Sequence, residues 1–261
     1  MMKKLLLLIV ALTMTSAGYR AVAWGGSGHS VIAYIAEHNL TPQAKKKCRD
    51  YLHHTLPYHA SWMDYWRFYE PFAATSSWHG VPVGKNNLHI ESNVNNAARQ
   101  IKRICREMKR YKKMKDSIVC DNLKYLIHMV GDMHCPVHTK YVEEPQYKQG
   151  KILRKGKTDK FHAYWDQSPD IYNPKWNVED YRKNLDTLTK EEIVALCSGT
   201  VDDWATQNAR EMREIYALLP LNEEVTELPE ENHARMKAIC HQQLQRGGYR
   251  LAHILNEIFK K

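Results

Sequence analysis

Beyond residue 12 the chain has no apolar run long enough to cross a bilayer, which excludes a membrane-spanning helix from the rest of its 261 residues. No internal repeat, low-complexity tract or domain linker interrupts it, so one domain suffices. Few stretches alternate apolar and polar residues with a period of two, which leaves little room for a sheet. The six cysteines, at 48, 105, 120, 135, 197 and 240, show no tight metal-type spacing and exclude a thiolate zinc finger. Several lie on the apolar face of a helical pattern, which favours buried free thiols over a disulfide framework.

At the amino terminus Lys3 and Lys4 precede the apolar run Leu5 to Leu12. The small-residue triplet Ala21-Val22-Ala23 then completes the pattern of a cleaved secretory signal. The expected mature chain begins at Trp24 and is secreted or periplasmic. Losing Lys3, Lys4 and Arg20 lowers the net charge from +9 to +6. A basic surface suits anionic partners, though solubility alone also accounts for such a charge.

Helical periodicity dominates residues 24–261. Thr41-Pro42 is an N-cap followed by proline at the first helical position. Apolar residues recur at helical spacing in Ala97, Ile101, Ile104, Cys105 and Met108, and in Leu123, Leu126, Ile127 and Val130. The same spacing returns in Met212, Ile215, Tyr216 and Leu219, and in Leu251, Ile254, Leu255 and Ile258. Residues 139–160 are polar and basic and predict a loop or short hairpin. The fold class is all-α.

Fourteen histidines are the informative feature. In Leu126-Ile-His-Met-Val-Gly-Asp-Met-His-Cys-Pro-Val-His138, His128 and Asp132 stand four residues apart and leave one helix face together. An imidazole and a carboxylate so placed grip one zinc ion. Pro136 ends the helix and His138 follows from the turn. His162 and Asp166 repeat the spacing. Each pair alone is as well explained by capping or a hydrogen-bonded core. Together, so many polar groups on apolar helices need a common partner, and a metal supplies it.

The start Trp24-Gly-Gly-Ser-Gly-His29, the string Gly131-Asp-Met-His-Cys-Pro-Val-His138 and the His162/Asp166 pair resemble the zinc-dependent single-strand-specific nucleases of the phospholipase C/nuclease superfamily. Gly248-Tyr-Arg-Leu-Ala252 and Leu255-Asn256 fit that family's last helix. The resemblance implies three zinc ions. Asp64, His79, His128 and Asp132 would hold one, and His138, His162 and Asp166 a second. A third would take His29, a bridging oxygen of Asp132, and the α-amino nitrogen and carbonyl oxygen of Trp24. His134 is not a ligand in that pattern. The implied activity is hydrolysis of single-stranded DNA and RNA to 5′-phosphorylated products, and of 3′-mononucleotides. A zinc-activated water would serve as nucleophile. Asp64, Asp132 and Arg67 would be its catalytic residues. No stable protein partner is implied, and the expected state is a monomer.

Several positions depart from the family. Gly80 replaces the aromatic that stacks the base, Pro82 an acidic residue, Gln167 an asparagine, and Cys135 a glutamine. The Gly-Gly-Asn loop is absent, and Tyr147 to Lys160 is basic instead. Tyr65, Trp66 and Tyr164 are candidate replacements for the stacking ring, beside Arg67 and Gln167 as further substrate contacts; core packing competes for the aromatics. The basic residues Lys148, Lys151, Arg154, Lys155, Lys157 and Lys160 would either steer a polyanion or form a solvated loop. Two other functions remain: a zinc phospholipase C, whose last pair is usually His with Glu, and a non-catalytic zinc-binding or adhesion protein.

Overall fold

The computed structural model describes residues 24–91, 95–144, 150–154, 157–219 and 226–260. The leader 1–23, with Lys148 and Lys155 of the basic segment, lies outside the described residues. In chain order the helices are α1 (Gly26–His38), α2 (Pro42–Leu52), α3 (Leu56–His59), α4 (Trp62–Trp66), α5 (Ala97–Met108) and α6 (Asp116–Met133). They continue with α7 (Phe161–Asp166), α8 (Ser168–Tyr172), α9 (Val178–Leu185), α10 (Lys190–Leu196), α11 (Val201–Ala217) and α12 (Glu230–Ile258). The fold is all-α, as the periodicity predicts.

Short strands fill the gaps: β1 (Val81–Val83), β2 (Thr139–Tyr141), β3 (Lys151–Arg154), β4 (Lys157–Lys160) and β5 (Thr226–Glu227). β3 and β4 pair antiparallel, so of the two alternatives for the basic segment, loop or short hairpin, the described residues take the hairpin pairing, with β5 parallel to β3.

Local chemistry sets the helix ends. Thr41 Oγ1 accepts from the Ala44 amide at 3.2 Å, and Asn96 Oδ1 from the Arg99 amide at 3.0 Å. Asn177, Thr189 and Thr200 each form a reciprocal capping box with an acidic residue three positions on. α6 closes at Met133 and a 3-10 turn, Pro136–His138, follows, because proline cannot continue the helix.

The core follows the apolar stripes. α12 packs along α1 and also touches α6, while α5 covers another side of α6. Val119, Leu123, Leu126, Ile127 and Val130 of α6 are buried, as are Ile101 and Ile104 of α5 and Leu251 and Leu255 of α12. Helix α6 is therefore enclosed along its carboxyl half, which is where its polar residues converge. All six cysteines are free thiols, and four of them are buried.

Candidate metal centre

Six separate pieces of chain meet at the end of α6. His128 and Asp132 come from α6 itself, one helical turn apart. Asp64 comes from α4, His79 from the end of the 3-10 segment Ala73–His79, and His29 from α1. His138 closes the turn after α6, and His162 and Asp166 come from α7. The parallel pairing of β1 with β2 sets Val81 opposite Thr139, which holds the ends carrying His79 and His138 side by side.

Asp132 lies at the middle. Its Oδ2 is 2.9 Å from His79 Nδ1 and 3.2 Å from His128 Nε2. Its Oδ1 is 3.3 Å from His29 Nε2 and 3.4 Å from His138 Nδ1. On one flank Asp64 stands 3.7 Å from His79 and 3.8 Å from His128. On the other, Asp166 stands 3.8 Å from His138 and 3.3 Å from His162. The rings of His29 and His128 stack at 4.1 Å between centroids. That approach requires Gly131, since a β-carbon there would fall 2.6 Å from His29 Nδ1.

These donors fit a cluster of cations. Both carboxylate oxygens of Asp64 and of Asp132 are buried without a hydrogen-bond donor among the described residues, and so are both nitrogens of His29 and of His138. Leaving so many polar atoms unmet in the interior is expensive, and metal coordination meets them together. The ring of His128 is oriented for it. Its Nδ1 lies 2.8 Å from the Ala60 carbonyl and donates to it, which turns the Nε2 lone pair toward Asp132 and Asp64.

The charge balance among the protein groups divides the ligands. Burial lowers the pKa of His29 and takes His138 down to about 3. Burial works against protonating His128 too, but the charges of Asp132 and Asp64 outweigh it and raise that ring to about 9. Asp132 resists its burial because His128 and His138 hold it well below the usual carboxylate range. Burial, reinforced by Asp132 and Asp64, pushes Asp166 well above that range.

Trp24 is fully buried ahead of α1. Its backbone hydrogen-bonds the Cys135 sulfur, and the Gly25 amide donates to the Asp166 carbonyl at 2.7 Å. The amino-terminal end of the described chain therefore runs beside the His138/Asp166 flank. Cys135 is the group that sequence reasoning passed over. Its Sγ is 3.8 Å from Asp166 Oδ1 and joins His138 and Asp166 as a potential ligand set. The Cys-Pro-Val-His spacing was the available signal.

The substrate-side residues divide. Arg67 Nη1 lies 3.4 Å from Asp64 Oδ1. Tyr65 and Trp66, which lie between those two residues in sequence, are 70% and 45% exposed and have faces to offer. Gln167 is exposed just beyond α7. Tyr164 is a correction: it is fully buried, with its hydroxyl against Tyr172 and His233, so no base can reach its ring. Core packing claims it because it shares α7 with buried Phe161 and Trp165. His134 points away from the cluster, with Nδ1 2.8 Å from the Val130 carbonyl and Nε2 3.0 Å from Arg250. At Gly80, a β-carbon would fall 2.4 Å from Lys140 Cε and 2.9 Å from its Nζ. A lysine from β2 thus covers the place where the resemblance expects an aromatic.

The chain is similar to known nucleases. Nuclease P1 of Penicillium citrinum is 26% identical over 160 residues, which cover 55% of this chain and 57% of that protein. Nuclease S1 of Aspergillus oryzae is 22% identical over 196 residues, covering 69% of this chain and 67% of that protein. The match thus spans little more than half the length of the Penicillium relative. The S1/P1 nuclease family model extends further, matching residues 24–260 and taking in both Trp24 and the last helix. By that match the chain belongs to the S1/P1 nuclease family.

Proposed function

We propose that this chain is a secreted or periplasmic zinc-dependent phosphoesterase. It hydrolyses single-stranded DNA and RNA to 5′-phosphorylated products and removes the phosphate of 3′-mononucleotides. The observation that carries the reading is the sharing of Asp132. One buried carboxylate faces four imidazoles, two at each oxygen, with a further carboxylate on either flank. Such a centre suits closely spaced cations rather than a single one.

Three zinc ions fit the donors in the groups expected from the sequence. Asp64, His79, His128 and Asp132 would hold one, and His138, His162 and Asp166 the second. His29, Asp132 and the Trp24 backbone would hold the third, the last of these after removal of residues 1–23. Bound zinc would supply a water acidic enough to attack phosphorus near neutral pH and would offset phosphate charge. The protein does the rest. Asp64 and Asp132 keep the donors in register, and Arg67, set against Asp64, orients a phosphate oxygen with its guanidinium. Tyr65 and Trp66 stack an unpaired base, each stack contributing about 1–3 kcal/mol. Gln167 offers an amide to the base edge. The protein works as a monomer.

One assay tests the reading. The zinc-loaded protein beginning at Trp24 is offered single-stranded DNA, RNA, 3′-AMP and phosphatidylcholine. Cleavage of the first two to 5′-phosphorylated ends, with release of phosphate from the third, is expected. Turnover of phosphatidylcholine alone would replace this reading with a phospholipase. Turnover of none, with zinc bound, would leave a metal-binding protein without catalysis.

A further inference from the structure

Away from the metal centre, α10, α11 and α12 enclose an open cavity of about 570 Å³. Three arginines line it. Arg246 and Arg250 stand one turn apart on α12, and Arg210 projects from α11. Among the described residues, the only carboxylate in the lining is Asp203, whose Oδ2 already accepts from the Thr200 amide and hydroxyl.

Arg250 is the unusual member. It is 4% exposed, and its guanidinium meets only neutral acceptors. Nε donates to the Leu196 carbonyl at 3.2 Å, Nη2 to Gln207 Oε1 at 2.5 Å, and Nη1 to His134 Nε2 at 3.0 Å. The flat of the group lies 4.9 Å from the Trp204 ring. Among the described residues, two of its five N–H groups are left over, and its charge meets no carboxylate. Arg246 does have a carboxylate, Glu211 Oε1 at 2.5 Å, while exposed Arg210 forms no ion pair among the described residues. Two guanidiniums at this spacing repel each other. Burial and that repulsion together pull Arg250 down to about 9.

We propose that this cavity is a second anion site, separate from the metal centre, that takes a phosphate group, either free or carried by a mononucleotide. A phosphate accepts from several guanidinium N–H groups at once and supplies the negative charge that Arg250 lacks. The space exceeds what a bare phosphate fills, and the amide of Gln207 at its wall suits a polar body attached to one.

The test is calorimetric titration of the zinc-loaded protein with inorganic phosphate, 5′-AMP and adenosine, repeated on Arg210→Glu. Position 210 is exposed, so the variant should keep its Tm and its turnover. A phosphate or 5′-AMP class of sites that weakens at least about tenfold in the variant is expected, because one charge-assisted contact is reversed. Equal weakening for both ligands identifies the bare phosphate as the ligand, and weakening for 5′-AMP alone identifies the mononucleotide. Isotherms unchanged by Arg210→Glu, or binding in wild type that vanishes entirely on chelation, would overturn the site. Because the readout is binding, a protein without nuclease turnover would leave this result standing.

Discussion

At the scale of single residues, Asp132 is the position on which most else depends. Asp132→Ala removes a donor from two proposed metal groups, so elemental analysis should find two fewer zinc ions per chain. Loss of one ion or none would refute the bridging role. Gly131→Ala is a narrower probe: the new β-carbon displaces His29, so a single ion should go while helicity by circular dichroism stays intact. Proton linkage gives a third check. A ligand must be deprotonated to bind. His29 and His138 are held neutral and Asp132 ionised, so they release nothing. His128, raised to about 9, carries a proton at pH 7 that zinc must expel, and Asp166, pushed upward by burial, gives up its proton less readily than an ordinary carboxyl. Apparent zinc affinity should therefore fall as pH drops from 9, with at least about one proton released per loaded chain at neutral pH. Calorimetry in buffers of different ionisation enthalpy measures that number. The two His-Asp pairs were legible because four-residue spacing translates directly into a shared helix face. The roles of His134 and His128 differ only in which carbonyl or guanidinium meets each ring, and no spacing rule carries that. Tyr164 misled for the same reason: adjacency to Asp166 in sequence says nothing of which way its ring turns.

Among the elements, the β1–β2 ladder is small but sets two ligand-bearing ends in parallel, and it also brings Lys140 across Gly80. The sequence shows Gly80 and Lys140 only as unrelated residues sixty positions apart, because strand pairing of this range leaves no local trace. A double-mutant cycle tests the contact. Gly80→Phe alone must push Lys140 aside and should lower Tm, and Lys140→Ala alone should change it little. The pair should recover much of the loss, a non-additivity expected only of residues that touch. Additive effects would mean that Lys140 swings clear at no cost. The long helices, by contrast, were legible in their apolar stripes, and one of them in its start as well. The capping residue Thr41 acts within three positions and needs no partner from elsewhere.

For the whole molecule, the burial of Trp24 would link the proposed processing to the candidate metal centre. If its α-amine is a ligand, any residue left ahead of Trp24 turns a good donor into an amide. An extended protein should then fold normally but carry less zinc and turn over slowly. Trp24→Ala, correctly processed, keeps the backbone donors and should retain more turnover. It loses a buried indole, so its Tm should fall, in line with the roughly 3–5 kcal/mol typical of such truncations. Zinc content and turnover of the two forms decide it, and a fully loaded, fully active extended protein would sink the idea. Chelation should lower Tm of the mature protein as well, since so many buried carboxylates and imidazoles would lose their common partner.

The six unpaired thiols carry a practical consequence for anyone handling the protein. With no cross-link to open, a reductant has no covalent bond of the fold to act upon. On the zinc-dependent reading proposed above, a dithiol reagent that silences the protein would be acting as a competitor for metal, and a phosphine reductant of equal strength should leave it untouched. The same reading makes added zinc, rather than a redox couple, the restorative ingredient to test in storage and refolding buffers.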